Sequence, residues 1–450
     1  MCVRQNAMFM RPFHHLLVNN LIANITNFTV WFAITFWIFL ETRSVFATGM
    51  IAGIYLVLTG ALGIWFGSLV DHHRKRSMML VSSLVSLAIY AAALGAYALD
   101  PTIAAARVPS VTLWLFVLLT MLGVIVGNIR MIALPTLVTL LVPEDRRDKA
   151  NGLVGMVSGI GFLTTSAISG FLVAWGGMVA TLAFAILFSL LAALHLLFVH
   201  VDEPRETDTH DAPRRIDLAG TFRIVRGIPG LFALVLFAAF NNLLGGVFMA
   251  LMDAYGLSLM KVEQWGLLWA FVSCAFILSG ALIARTGLGA NPVRTLLLVN
   301  LIVWAVAALF TVQSSIILLT VGCFIWLFLG PYAEAAEQTT LQKVVPFERQ
   351  GRVFGFAQSV EQAASPLTAF LIAPLTQFIF VPLMTSGAGA DMIGDWYGRG
   401  AERGIAIVFT ITGVLGVIAT LAAFRSQSYR QISGAYAAGD EAAGMTDSPQ

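Results

Sequence analysis

Residues 330–361 read GPYAEAAEQTTLQKVVPFERQGRVFGFAQSVE and are the most informative part of the chain. They place Glu334 and Glu337 inside one apolar segment and Glu361 inside the next, with a short charged loop at 343–352 between the two. A carboxylate inside hydrocarbon is costly unless it is paired, protonated or hydrated. The stretch therefore predicts two membrane-spanning helices, a connecting loop and a working site beside them.

The rest of the chain has the composition of a polytopic membrane protein. Hydrophobic residues make up 58% of its 450 residues and charged residues only 11%, whereas a soluble domain has about 25% charged residues. The apolar residues fall in runs of about 20, the length that crosses a bilayer as a helix. Because these runs are continuously apolar, we predict an all-α membrane protein and exclude a membrane β-barrel.

We predict twelve spans in two groups of six. Their bounds are 14–40, 49–70, 77–99, 111–141, 150–174, 178–199, 229–252, 264–285, 294–312, 314–341, 352–382 and 403–424. The domains that follow are an N-terminal six-helix bundle (1–199), a polar cytoplasmic linker (200–228), a C-terminal six-helix bundle (229–425) and a disordered cytoplasmic tail (426–450).

Lysine and arginine predict the orientation, because loops on the cytoplasmic side carry an excess of them. With both termini in the cytoplasm, 20 of the 26 basic residues lie on that side, five lie on the other, and Arg130 lies within span 4. We therefore expect a multi-pass protein of the plasma membrane with both termini inside.

The two groups of spans repeat each other. The loop VPEDR at 142–146 matches VPFER at 345–349 with an offset of 203, and the same offset relates Gly127 to Gly330. Shared hydrophobicity does not explain matching Pro, Gly and Arg residues. Two copies with an even number of spans are related by a pseudo-twofold axis along the membrane normal, which predicts a substrate site near the midplane between the halves.

The loop after span 2, residues 67–76, reads GSLVDHHRKR and is similar to a motif of the major facilitator superfamily, G-x-x-x-D-R-x-G-R-[RK]. Gly67, Asp71, Lys75 and Arg76 fit it, whereas His72 and Arg74 stand where Arg and Gly are usual. The resemblance covers nearly the whole chain, and residues 133–153 and 338–356 are similar to the bacterial drug and macrolide efflux branch.

The resemblance implies a cytoplasmic gate formed by Gly67, Asp71, Arg74, Lys75 and Arg76. Asp71 is expected to hold basic groups or the N-terminus of a neighbouring helix in one conformation, and to release them on switching. The alternative for the three basic residues is that they only orient the chain in the membrane. The antiporter motif expected in span 5 is met only in part, since no proline follows Gly159.

Arg130 lies about 12 residues, or roughly 18 Å, from the cytoplasmic end of span 4, too deep for its side chain to reach either surface easily. We interpret it as a cavity charge that pairs or competes with Glu334, whose neighbour Ala333 is the repeat partner of Arg130. The alternative is a purely structural ion pair.

Glu334 and Glu337 are three residues apart and share a helix face. Two close carboxylates in a low dielectric do not both ionise easily, so one of them is expected to hold a proton. This is the chemistry that proton coupling needs, unless the two residues only face the cytoplasmic mouth. Glu361 is interpreted as a second proton site or a partner of Arg130.

Amides form a second group of candidates. Asn20, Asn24, Asn27 and Trp31 make one stripe along span 1, and Asn241 and Asn242 lie in span 7. Asparagines within spans either bind substrate and water or join helices. We expect these six residues to line the substrate cavity.

We find no catalytic constellation, phosphate-binding loop or metal motif, so we predict a transporter and not an enzyme, driven by a proton gradient and without a cofactor. The resemblance implies efflux of amphipathic, drug-like compounds by alternating access in the bacterial cytoplasmic membrane. The alternatives are a proton-coupled importer or facilitator of a small metabolite, and a non-transporting sensor or assembly factor. The expected partners are a small-molecule substrate and the lipid bilayer, with no nucleic acid, for a monomeric protein.

Overall fold

The computed structural model describes residues 2–42, 45–100, 103, 110–203 and 218–446, and every regular element in these ranges is helical. The first eight helices are α1 (Cys2–Thr42), α2 (Val45–His72), α3 (Lys75–Leu99), α4 (Val111–Gly127), α5 (Ile129–Leu141), α6 (Arg147–Phe198), α7 (Leu218–Gly227) and α8 (Leu231–Leu259). They are followed by α9 (Val262–Thr286), α10 (Pro292–Leu309), α11 (Ile316–Val344), α12 (Gln350–Leu375), α13 (Val381–Thr385), α14 (Ala388–Tyr397), α15 (Ala401–Arg425) and α16 (Gln427–Thr446). A π-helical turn, Thr376–Phe380, joins α12 to α13.

Within the described ranges, ten helical segments are long and apolar enough to cross a membrane. Predicted span 49–70 falls on α2, and predicted span 150–174 falls on the first part of α6. Every one of the twelve predicted spans therefore overlaps a helix. Spans 5 and 6 both lie in α6, which is broken at Gly177. The φ of Gly177 is 55°, a left-handed conformation that glycine adopts without steric cost.

The helices form two compact units. Unit 1 comprises Met1–Thr221 and Val345–Ser359, and unit 2 comprises Phe222–Val344 and Val360–Gln450. The boundary at 221–222 lies inside the predicted linker. The sequence does not predict that Val345–Ser359, which contains the first ten residues of α12, belongs with unit 1. We call this stretch the docking segment.

The repeat is visible in the local structure of two loops. Single 3-10 turns occupy Glu144–Arg146 and Phe347–Arg349, and each follows a proline in an extended conformation. Each turn is closed by a 2.9 Å backbone hydrogen bond, from Arg146 N–H to Pro143 O and from Arg349 N–H to Pro346 O. Because a long helix begins directly after each turn, the offset of 203 seen in the sequence also relates α6 to α12.

The prediction of a disordered tail is corrected for Gln427–Thr446, because these residues form helix α16. Ile432 is only 2% exposed and packs beside Gly230, and the Lys343 ammonium lies 4.1 Å from the centre of the Tyr436 ring. These contacts bury apolar surface that the Ala- and Gly-rich composition does not lead one to expect. The predicted linker likewise contains a helix, α7, in which Thr221 and Val225 are buried.

Candidate functional site

Asp71, in the last turn of α2, is bound by the first turn of α12. Its carboxylate accepts hydrogen bonds from the backbone N–H of Gly351 at 2.6 Å and of Arg352 at 2.9 Å, and from Arg352 Nε at 3.0 Å. Only 3% of the Asp71 side chain and 9% of the Arg352 side chain are exposed. A carboxylate at a helix N-terminus satisfies N–H groups that have no partner within the helix and interacts favourably with the helix dipole. The contact has the form that the gate hypothesis requires, although gating itself stays a prediction.

Two glycines allow α2 and α12 to approach closely enough for this contact. A Cβ atom on Gly67 would lie 2.4 Å from the carbonyl oxygen of Gly351, and one on Gly351 would lie 2.3 Å from Asp71 Oδ1. Neither helix tolerates a side chain at this crossing. Helix packing therefore requires a glycine at position 67 of the motif, independently of any turn.

The basic residues of the motif have different environments. Lys75 Nζ lies 5.3 Å from the centre of the Phe347 ring in the docking segment. The Arg76 guanidinium donates to the carbonyl oxygen of Leu196 at 2.7 Å, in the last turn of α6. Arg74 is exposed. Lys75 therefore faces the docking segment, whereas Arg76 joins α3 to α6.

Arg130, in the first turn of α5, is 2% exposed. Its guanidinium donates to Asn19 Oδ1, to Ser83 Oγ and, at 3.0 Å, to the carbonyl oxygen of Met79. Within unit 1 the described residues give it only these neutral acceptors, and the predicted pairing with Glu334 or Glu361 stays a prediction. Met79 is the fifth residue of α3, about 6 Å along that helix. The side chain thus extends toward a helix end and finds neutral acceptors there.

Asn19 connects Arg130 to α6, and the sequence analysis missed it. Its Nδ2 donates to Ala192 O at 2.7 Å and lies 3.3 Å from His195 Nδ1. The predicted stripe contains its neighbour Asn20, which is 5% exposed. The 4-3-4 spacing selected Asn20, whereas two adjacent asparagines on one helix were the signal that could have identified Asn19.

The remaining residues of the α1 stripe, Asn24, Asn27 and Trp31, are half-buried. Tyr90 OH donates to Asn27 Oδ1 at 3.5 Å, and the Trp31 ring packs on Tyr55 with ring centres 4.4 Å apart. In these contacts the stripe joins α1 to α2 and α3, which is the helix-joining alternative.

A further amide, Asn128, lies between α4 and α5. Its Nδ2 donates to Tyr55 OH and to Thr59 Oγ1, both at 3.4 Å. Sequence reasoning missed Asn128, Tyr55 and Thr59, because isolated polar residues on different spans show no common period.

Asn241 and Asn242 are half-buried in α8. Asn241 Nδ2 donates to Phe237 O at 2.7 Å, and its Oδ1 accepts from Trp304 Nε1 at 2.6 Å. Asn242 Nδ2 donates to Ala238 O at 3.1 Å. Asn241 therefore orients Trp304, a buried residue of the aromatic core of unit 2.

The three predicted carboxylates lie in unit 2, with Glu334 and Glu337 on α11 and Glu361 on α12. The carboxyl groups of Glu337 and Glu361 lie close enough to interact directly, and Glu334 is close enough to act electrostatically on both. Glu334 is exposed, whereas Glu337 and Glu361 are half-buried. The sequence predicts a pair within one helix, but the structure pairs carboxyls from two helices.

A hydrogen bond between two carboxyl groups requires one of them to be protonated, because an ionised carboxylate is only an acceptor. In the described part of the chain no lysine or arginine forms an ion pair with these three residues. Glu337 and Glu361 can therefore hold one proton between them.

Arg403 is a buried cation that the sequence analysis placed at the first residue of span 12 and gave no role of its own. It is 1% exposed in the first turn of α15 and donates to Thr311 O at 2.7 Å and Val312 O at 2.8 Å. Its guanidinium carbon also lies 4.5 Å from the Tyr397 ring centre. Because Arg403 stands near the start of a span, beside loop residues, the sequence did not indicate that its side chain is buried.

The described residues include no group of three or more His, Cys, Asp and Glu side chains that could hold a metal ion. The absence of a cofactor stays a prediction.

The chain is 22% identical over 369 residues to macrolide efflux protein A of Streptococcus pyogenes, a match that covers 80% of this chain and 88% of that protein.

Two solved structures share the fold. The proton:xylose symporter XylE bound to 6-bromo-6-deoxy-D-glucose has a TM-score of 0.68 at 12% identity, covering 93% of this chain and 96% of that one. A bacterial homologue of the iron transporter ferroportin in an outward-facing state has a TM-score of 0.67 at 15% identity, covering 92% and 99%.

The family model described as Major Facilitator Superfamily matches residues 16–369. The all-α fold class predicted from the sequence is confirmed, since this family's fold is twelve helices in two bundles. The chain belongs to the major facilitator superfamily of membrane transporters.

Proposed function

We propose that this protein is a secondary active transporter that exports amphipathic, drug-like compounds in exchange for protons. The contact between the Glu337 and Glu361 carboxyls carries the proposal. It supplies a site for one proton on two neighbouring helices of unit 2. Intramembrane carboxyl groups without a cationic partner are typical of proton pathways.

The coupling step follows from the chemistry of the pair. While the two carboxyls touch, one proton is held between them. When α11 and α12 shift enough to separate them, or when water enters, each carboxyl is solvated independently and the shared proton is released. Protonation from one side of the membrane and release to the other convert the pH gradient into a conformational preference.

The docking segment is the gate in this proposal. Its hydrogen bonds to Asp71 hold the start of α12 against α2, and alternating access requires that they break once per cycle. The excess of Lys and Arg at this end of the helices supports a cytoplasmic location for the gate and for both termini. The membrane proposed is the bacterial cytoplasmic membrane, with the protein acting as a monomer.

The export direction is supported by the similarity to macrolide efflux protein A. Import of a small metabolite is the alternative outcome of the same experiment. A scaffold or sensor is disfavoured by the carboxyl pair, because a protein that does not move protons gains nothing from carboxyls in membrane-spanning helices that have no cationic partner among the described residues.

The test is transport of a radiolabelled macrolide in proteoliposomes with an imposed pH gradient. Export predicts movement of the macrolide against the proton flow in the wild-type protein. We expect Glu361→Gln to abolish gradient-driven transport and to retain exchange without a gradient. Glu144→Gln, which changes an exposed loop carboxylate, is the matched control. Gradient-driven transport at the wild-type rate in Glu361→Gln would exclude the pair as the coupling site.

A further inference from the structure

The loop that presents Asp71 is fixed by two reciprocal helix caps within unit 1. The Glu203 carboxylate accepts hydrogen bonds from the backbone N–H of Lys75 at 2.6 Å and of Arg76 at 2.8 Å, the first two residues of α3. In return, the Arg76 guanidinium donates to the carbonyl oxygens of Leu196 and Leu197, in the last turn of α6. Glu203 follows that helix by five residues. We call this arrangement the clasp.

Both caps are favourable for the same physical reason. A helix leaves N–H groups without partners at its start and carbonyl groups without partners at its end. The N-cap residue of α3 is Arg74, which makes no side-chain cap, because a guanidinium has no acceptor. Glu203 supplies the missing acceptor with an anion at a helix N-terminus, and Arg76 places a cation at a helix C-terminus.

The clasp acts on the residues that face the docking segment. Lys75 lies four residues after Asp71, and its Nζ also approaches the Asp71 carbonyl oxygen at 3.4 Å. Holding the Lys75 backbone therefore fixes the short connection from α2 to α3. That connection determines where the Asp71 carboxylate and the Lys75 side chain stand relative to Gly351 and Phe347.

We propose that Glu203 is a positioning residue for the gate, acting through the α2–α3 connection and Asp71. The proposal rests on the proposed gating role of Asp71. It gives the first residues of the central linker a role in the switching mechanism, in addition to connecting the two six-helix bundles. Glu203 is half-buried, whereas its neighbour Asp202 is fully exposed and lies 3.9 Å from His200.

The test measures undocking directly. Ser359, at the end of the docking segment, is 6% exposed. In a background with the three native cysteines replaced by serine, Ser359→Cys is labelled with a membrane-impermeant maleimide, and the rate reports how often the segment leaves α2. We expect Glu203→Ala to raise the rate about fivefold, the equilibrium effect of losing one helix cap. Asp202→Ala, the matched control, is expected to leave it unchanged.

A double mutant separates positioning from general stability. If Glu203 acts through Asp71, Glu203→Ala adds nothing in an Asp71→Asn background. An unchanged rate in Glu203→Ala, or an equal fivefold increase with and without Asp71, overturns the proposal. Glu203→Gln keeps one acceptor oxygen and is expected to give a smaller increase, so it decides the question if Glu203→Ala does not fold. The assay uses neither substrate nor gradient, so failure of proton-coupled export would not affect its result.

Discussion

The Asp71 site and the Glu337–Glu361 pair place carboxyl groups in opposite environments. Asp71 receives three N–H donors, one of them from a guanidinium. The carboxyls of Glu337 and Glu361 instead interact with each other. Donors stabilise an anion, whereas a second carboxyl stabilises a shared proton. The two sites thus differ in the groups that contact the acid: N–H donors suit a carboxylate that serves as a fixed charge, whereas a second carboxyl suits a proton carrier.

The largest expected effect comes from removing the fixed charge. Asp71→Asn leaves the buried Arg352 guanidinium without its anion, a loss of about 3 kcal/mol. We expect the docking segment to open roughly a hundredfold more often, measured as faster hydrogen–deuterium exchange of amides 345–359. Asp145→Asn, on an exposed loop carboxylate, is the control. Equal protection in both variants would contradict the role of the donors.

Replacing Arg130 tests whether neutral hydrogen-bond acceptors are enough to stabilise a buried cation. Arg130→Met leaves Asn19 Oδ1 and Ser83 Oγ without their donor, and we expect a loss of about 2 kcal/mol in thermal unfolding experiments in detergent. Transport in the surviving protein should stay within about threefold of wild type, because the described partners of Arg130 in unit 1 are neutral acceptors. Loss of transport with unchanged stability would restore the coupling interpretation drawn from the sequence.

The geometry of the carboxyl pair can be broken without changing its charge. Glu337→Asp withdraws one carboxyl by a methylene group, so that the hydrogen bond to Glu361 is lost. We expect gradient-driven transport to fall about tenfold, equivalent to about 1.4 kcal/mol. Glu334→Asp, on the same helix, is the control. Equal rates in Glu337→Asp and wild type would show that charge alone matters.

Glu334→Gln should have the smallest effect. Sequence reasoning gave Glu334 the same role as Glu337, but Glu334 is exposed and acts on the pair only through its charge. We expect a change of about twofold in the rate of gradient-driven transport. Complete loss of that transport would make Glu334 the proton carrier and the pair its support.

Much of the fold could be predicted from the sequence because it depends on local information. Runs of apolar residues determine where helices cross a bilayer, and the repeated loops at 142–146 and 345–349 do adopt the same 3-10 turn. Asp71 could be identified as a gate candidate from its motif. Its partners could not, because Gly351 and Arg352 come from a segment 280 residues away.

The partners of the interior charges depend on how helices rotate against one another, which no periodicity encodes. Glu337 faces Glu361 across α11 and α12, where the sequence suggested Glu334. Arg130 obtained its acceptors from α1 and α3. Arg403 is buried although it stands near the start of a span. In each case the residue type indicated that burying the charge costs free energy. Tertiary packing determined which neighbouring groups compensate for that cost.

Helix α16 also bears on how far the chain could be shortened. Its Ile432 is buried and packs beside Gly230, directly before α8. Deleting α16 would remove this side chain and expose the apolar surface at the start of α8 to water. A shortened chain is therefore expected to lose stability in unit 2, at a place far from its own cut end.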